Sequence, residues 1–292
     1  MAIQAGNNEE ASAAIEVMLG LARTLENEPL LISQMVRYRI LNLAVSTLER
    51  RANAGRLGPR EATNLLAAFE RAGATSFLPR ALIGERACDA PYFRLSQADA
   101  KRIYSPVKDN EAEADSMRPI PRNRPLALTL SGFYDLDFGQ FLFAMEITIA
   151  LASLPPPANL EADNHFARAG AAAKKRNRLL SSLILSTSTG SAASENESIA
   201  YLSMATTALA LEQFRNQNGR LPESLDQLTP GFLAEVPEDP FTGMDLQYQR
   251  REKGYLLYSV GRDLQDDHGL EKSEKKKSSD GKSFDLTVIV ER

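Results

Sequence analysis

At 292 residues the chain exceeds the roughly 150 residues of an average domain, so one mainly helical unit plus one smaller unit is the first expectation. With 43% hydrophobic and 25% charged residues it can bury a sizeable core, which excludes a chain disordered throughout. Its 34 basic and 38 acidic residues leave a net charge of −4, too weak a field of either sign to recruit nucleic acid or an anionic membrane.

From Glu9 to about Ile103 the apolar pattern is helical. Ile15, Met18, Leu19, Ala22 and Leu25 recur at three- and four-residue steps, the stripe of an amphipathic helix. Pro29 suits the first turn of a second helix, which places Ile32, Met35, Val36, Ile40, Leu43, Ala44 and Leu48 on one apolar face and stops at Ala54-Gly55. A third begins near Pro59 and buries Leu65, Leu66 and Phe69. Ser96 with Asp99 forms a capping arrangement for a short helix ending near Tyr104. Pro106, Pro119, Pro121 and Pro125, interspersed with acidic residues, make 105–125 an exposed Pro-rich loop, because neither a helix nor a central strand tolerates them.

Helical periodicity returns with Phe138, Phe141, Leu142, Met145 and Ile149, halts at Pro155-Pro156-Pro157 and resumes from about Asn159 to Ser186. After the small-residue break 190–195, Ser194 or Asn196 caps a long helix that ends at Asn218-Gly219, a left-handed stop. Leu246 to Arg250 alternates, Lys253-Gly254 sits at a turn, and Tyr255 to Val260 is rich in strand formers, so a hairpin is predicted there. Phe284 to Val290 supplies a third strand. The predicted fold class is mainly α, with a helical domain at 1–189 and a small α+β head at 190–292, a long helix plus a three-stranded antiparallel sheet.

Three segments of that head carry a resemblance: Asn218-Gly219-Arg220-Leu221-Pro222, Pro237-Glu238-Asp239-Pro240-Phe241, and the Tyr-Ser strand Tyr255 to Asp263. In this order they resemble the globular head of type II secretion major pseudopilins. In that family the loop after the Tyr-Ser strand binds calcium, so the resemblance implies a metal site with calcium as the cofactor between Gly261 and Asp285. Its ligands would come from Asp263, Asp266, Asp267, Asp280 and Asp285, hard oxygen donors of the kind calcium takes. The same residues also fit an acidic, disordered surface loop without metal, since the lysines of 271–279 oppose a divalent ion unless they face solvent. Unlike a pseudopilin, the chain places mostly helical sequence before Asn196, so the head reads as a module appended to a helical protein.

Cys88 is the only cysteine, which excludes an intrachain disulfide, and only His165 and His268 are present, which leaves little for zinc or triad chemistry. Cys88 is expected to be a buried structural thiol, and Arg37 and Arg39 to pair with acidic residues of a neighbouring helix. Lys174 to Arg178 reads as a solvated helix segment. Asp135 and Asp137 among Phe133, Tyr134, Phe138 and Phe141 resemble a glycan-binding carboxylate pair, although Asp137 also suits the cap of a helix starting at Phe138.

The functional expectation is a non-enzymatic structural or protein-interaction protein of the bacterial envelope, related to secretion or pilus-like machinery. Its partner would be another envelope protein or a second copy, with no nucleic acid. The alternative is a carbohydrate-binding or carbohydrate-active protein using the Asp135 to Phe141 region. No apolar run reaches the roughly 18 residues of a spanning helix, so membrane contact would come only through an anchor absent from this chain. The chain is expected to be periplasmic or membrane-anchored if an N-terminal segment has been removed, and cytoplasmic if it is complete.

Overall fold

The computed structural model describes residues 8–73, 76–94, 133–270 and 285–292. The helix expected near 96–104, the Pro-rich loop 105–125 and Asp280 lie outside the described residues. The fold is mainly α with a small three-stranded antiparallel sheet. Its helices are α1 (Asn8–Thr24), α2 (Leu31–Ala54), α3 (Pro59–Gly73), α4 (Leu78–Asp89), α5 (Phe133–Ala152), α6 (Glu161–Lys175), α7 (Leu179–Thr187) and α8 (Ser191–Asn218). The strands are β1 (Gln247–Arg251), β2 (Gly254–Ser259) and β3 (Leu286–Glu291).

The chain forms two compact units. One comprises Met1–Glu28, Ile32–Phe77 and Ala193–Arg292, the other Pro29–Leu31 and Leu78–Ala192. Helices α1 to α3 therefore belong with the sheet, whereas the sequence reading places them in a helical domain at 1–189. The physical reason is the core. Ile15 and Leu19 of α1, Leu41 and Leu48 of α2, Leu65 and Phe69 of α3 and Leu209 of α8 are buried in one cluster with Tyr255, Leu257 and Val290 of the sheet. Apolar periodicity shows that a helix has a face to bury, and is silent on which element covers it.

Local chemistry explains the boundaries in this first unit. Pro59 opens α3, and Glu61 reaches back to accept from the Gly58 N–H at 3.2 Å, the acidic half of a capping box. The same carboxylate accepts from Arg51 and Ser12, so one residue fastens α1, α2 and α3. Helix α8 ends on Gly219 at φ +70°, the left-handed stop the sequence predicts.

In the sheet, β2 lies between β1 and β3, with Tyr248 opposite Leu257 and Tyr255 opposite Val290. Only Glu252 and Lys253 separate the paired ends Arg251 and Gly254. Gly254 must be glycine, since a Cβ there would lie 1.7 Å from the Val290 carbonyl oxygen. All of β2 is buried, because it is covered on both faces. Tyr255 and Leu257 meet the helices, while Leu256 and Tyr258 meet the loop at Gly269.

The second unit buries Leu82 of α4, Phe141 and Met145 of α5, Phe166 of α6 and Leu185 of α7, with Phe93 stacked 5.0 Å from Phe141. The predicted helix 159–186 is two helices, broken at Asn177, whose φ is +55°. The basic cluster Lys174 to Arg178 thus forms a helix end and a turn rather than a helix segment. Helix α2 begins at Leu31, two residues after Pro29; its first N–H is taken by the Glu85 carboxylate at 2.7 Å.

Candidate functional site

Three places carry chemistry of interest, and each lies within one unit. The first is the acidic loop after β2. Asp263 accepts from the Gln265 N–H at 3.2 Å and Asp266 from the His268 N–H at 2.8 Å, so both carboxylates brace tight turns of their own loop. Asp285, buried at the start of β3, accepts from the Gly269 N–H at 2.7 Å and the Asp267 N–H at 3.4 Å. Burial raises the Asp285 carboxyl above the usual carboxylate range, and the two backbone N–H groups pull the other way. The loop is thereby drawn over Leu256 and Tyr258, with Gly269 at φ +73° making the close approach. Among the described residues no three Asp, Glu, His or Cys side chains converge as a metal-ready group; Asp280, the fifth proposed ligand, is outside them.

The second place is a set of buried carboxylates that hold the first unit together. Asp239, in the Pro-Glu-Asp-Pro turn, accepts from the Phe241 N–H at 2.9 Å, the Ser259 hydroxyl at 2.8 Å and the Val260 N–H at 3.0 Å. It joins two of the segments that carry the pseudopilin resemblance, and Asn196 of α8 adds a bond to the Pro240 carbonyl at 2.9 Å. Glu195 accepts from the Tyr38 hydroxyl, the Ser76 hydroxyl and the Phe77 N–H, at 3.0, 3.0 and 3.2 Å. Burial and the adjacent Glu195 carboxylate push the Tyr38 phenol far above its ordinary range. Glu212 takes the Tyr255 hydroxyl at 3.3 Å and pairs with the Arg292 guanidinium. A buried carboxylate costs several kcal/mol unless its oxygens are met, roughly as these are.

Sequence reasoning missed Glu195 and Glu212. A carboxylate on the inward stripe of an otherwise apolar helix face was the available signal.

The third place is a groove in the first unit between α1 and α3, with a volume of ≈ 280 Å³ and a lining that includes Glu16, Arg23, Asn64 and Arg71.

Several singled-out residues play other parts than expected. Asp137 does not cap a helix beginning at Phe138, because α5 already starts at Phe133. It lies buried inside α5 and caps α7, accepting from the Leu180 and Ser181 N–H groups, each at 3.1 Å, and from the Ser181 hydroxyl. Asp135 is exposed, so the two carboxylates face different surroundings. Among the described residues Arg37 makes no cross-helix ion pair at hydrogen-bonding distance. It donates to the Ala72 carbonyl at 2.8 Å and lies 4.5 Å from the Phe77 ring centre, while Arg39 is exposed. Cys88 is exposed, not buried. His165 bonds Thr148 at 2.8 Å within the second unit.

No protein-family model matches this chain, and none of the curated proteins or solved structures compared with it matches either.

Proposed function

We propose that the chain is a non-enzymatic protein-interaction protein of the bacterial envelope, working beside secretion or pilus-like machinery, as the resemblance of its C-terminal segments to pseudopilin heads implies. The observation that supports this reading most is the placement of large apolar side chains on the outward faces of α1 and α2. Val17 and Leu21 on α1, and Ile32, Val36 and Leu43 on α2, are exposed in rows at helical spacing. The apolar pattern predicts one face for the α2 row together with Ala44 and Leu48, but the two faces differ, because Tyr38, Leu41 and Val45 line the core beside Ala44 and Leu48. Such rows, opposite the core-facing stripes of the same helices, suit a partner helix. The buried carboxylates point the same way, since Asp137, Asp239, Glu195 and Glu212 are spent on holding backbone and side chains in place.

The test is cell fractionation with a photoreactive residue at Val36. The chain is expected in the envelope fraction with a discrete cross-linked adduct; recovery in the cytosol without an adduct overturns the reading. Calcium at the loop of Asp263, Asp266, Asp267, Asp280 and Asp285 belongs to the same proposal. Because such an ion binds the folded chain, calcium at about 100 times its Kd would add about 2.7 kcal/mol to stability. Equal melting midpoints in excess calcium and in chelator would remove the site.

A further inference from the structure

We propose that the groove between α1 and α3 receives a second copy of this chain, the two copies packing α1 against α1 in antiparallel sense about a two-fold axis near Gly20. This deepens the interaction reading above and rests on it. The groove carries both signs of charge: Glu16 and Arg23 from α1, and Arg71 from α3. Among the described residues, none of these three side chains, nor Asn64 beside them, has a hydrogen bond or ion pair within the molecule. Val17 and Leu21, 70% and 53% exposed, stand next to them on α1.

The spacing selects the occupant. Glu16 and Arg23 are two helical turns apart, roughly 10 Å along the axis, and the point midway between them falls beside Gly20. In an antiparallel pair crossing at that point, Glu16 of each copy stands opposite Arg23 of the other. Two reciprocal ion pairs form, as an isologous interface requires. Arg71 on the groove wall adds a second cation for the incoming carboxylate. An unrelated acidic partner would gain from the two arginines but would leave Glu16 opposed or unpaired. A second copy gives each Glu16 a partner Arg23, and the bare backbone of Gly20 lets the two helices approach closely. Among the described residues a Cβ at Gly20 would meet nothing within 4 Å, which leaves room for an approaching helix.

Sedimentation velocity on the full chain over a concentration series tests this. The wild type is expected to shift from monomer to dimer mass. Gly20→Glu points into open space in the monomer and Glu is the better helix former, so its helical circular dichroism is retained and its monomer stays folded. At the two-fold axis, however, the new carboxylate meets its own copy, and the dimer is expected to weaken by about tenfold or more. Glu16→Arg and Arg23→Glu are each expected to be monomeric alone and to form a heterodimer when mixed, because the swap restores both ion pairs. A wild type that stays monomeric throughout overturns the proposal, as does a dimer indifferent to Gly20→Glu or a mixture that shows no rescue. An adduct to a different protein at Val36, with a monomeric wild type, would reject this occupant while leaving the interaction reading standing. The absence of any adduct would count against that reading instead.

Discussion

Asp137 shows how a single side chain that looks chemical can be architectural. Its carboxylate is 1% exposed and meets two N–H groups at the start of α7, which have no partner within their own helix. Asp137→Ala is expected to destabilise the protein by about 2 kcal/mol or more, since it removes a cap and leaves buried donors unmet. Asp135→Ala, two residues away and exposed, is expected to change stability by less than about 0.5 kcal/mol. Urea unfolding of both variants checks the contrast; equal effects would return the two residues to the status of a pair. Asp89 at the end of α4 is a different case. Burial, with help from the Glu85 carboxylate one turn earlier, pushes its carboxyl up from the ordinary 3.8 to about 6. A raised folded-state pKa favours the protonated, folded form. The contribution is therefore fully present below the unfolded value and is lost as pH rises from about 4 through about 6. Asp89→Asn is expected to raise the melting midpoint by about 2 to 4 °C at pH 7 and to leave it unchanged at pH 4. A melting series from pH 4 to 7 decides it, and parallel curves for variant and wild type would be the contrary result.

Strand β3 has β2 on one side, and its other edge is closed by side chains of α2. Asn53 donates to the Ile289 carbonyl at 2.7 Å and accepts from the Glu291 N–H at 2.7 Å, and Glu49 accepts from the Ile289 N–H at 3.0 Å. A helix thus occupies the outer hydrogen-bonding row of the strand and blocks edge-to-edge pairing with another chain. Asn53→Ala is expected to cost about 1 kcal/mol and to raise aggregation on heating, read by light scattering beside a melting curve. Unchanged scattering would show that the edge needs no guard. The hairpin itself was legible in the sequence, because Lys253-Gly254 and the β-rich run that follows act through neighbours in the chain. The long helix and its glycine stop were legible for the same reason. The guard was not, since Glu49 and Asn53 look like ordinary polar residues of a helix face and their partners lie more than two hundred positions away. The acidic loop shows both sides: its composition suggested a metal site, while the geometry of Asp263, Asp266 and Asp285 shows carboxylates turned to loop backbone. Asp285 beside the loop turn it anchors is a long-range pairing that spacing alone does not disclose.

At the scale of the whole chain, the sheet belongs to a unit assembled from both ends of the sequence, and that has a measurable consequence. Tyr255, Leu257 and Val290 share their core with Ile15, Leu41 and Phe69, so a fragment of residues 190–292 would expose the apolar face those helices cover. That fragment is expected to melt without a cooperative transition. Joining 8–77 directly to 193–292 should restore one, because the intervening residues 78–192 belong to the other unit. The junction is short: the Phe77 N–H donates to Glu195 at 3.2 Å and Ser76 donates to the same carboxylate, so the two cut ends lie side by side. A few Gly and Ser residues can span them. Glu195→Ala in the joined chain is then expected to lower its midpoint sharply, since it leaves the Tyr38 hydroxyl, the Ser76 hydroxyl and the Phe77 N–H without their acceptor. A sharp transition in the 190–292 fragment by itself would mean that the sheet and α8 stabilise each other without α1 to α3. In that case the boundary near residue 190 would mark an independent folding unit after all.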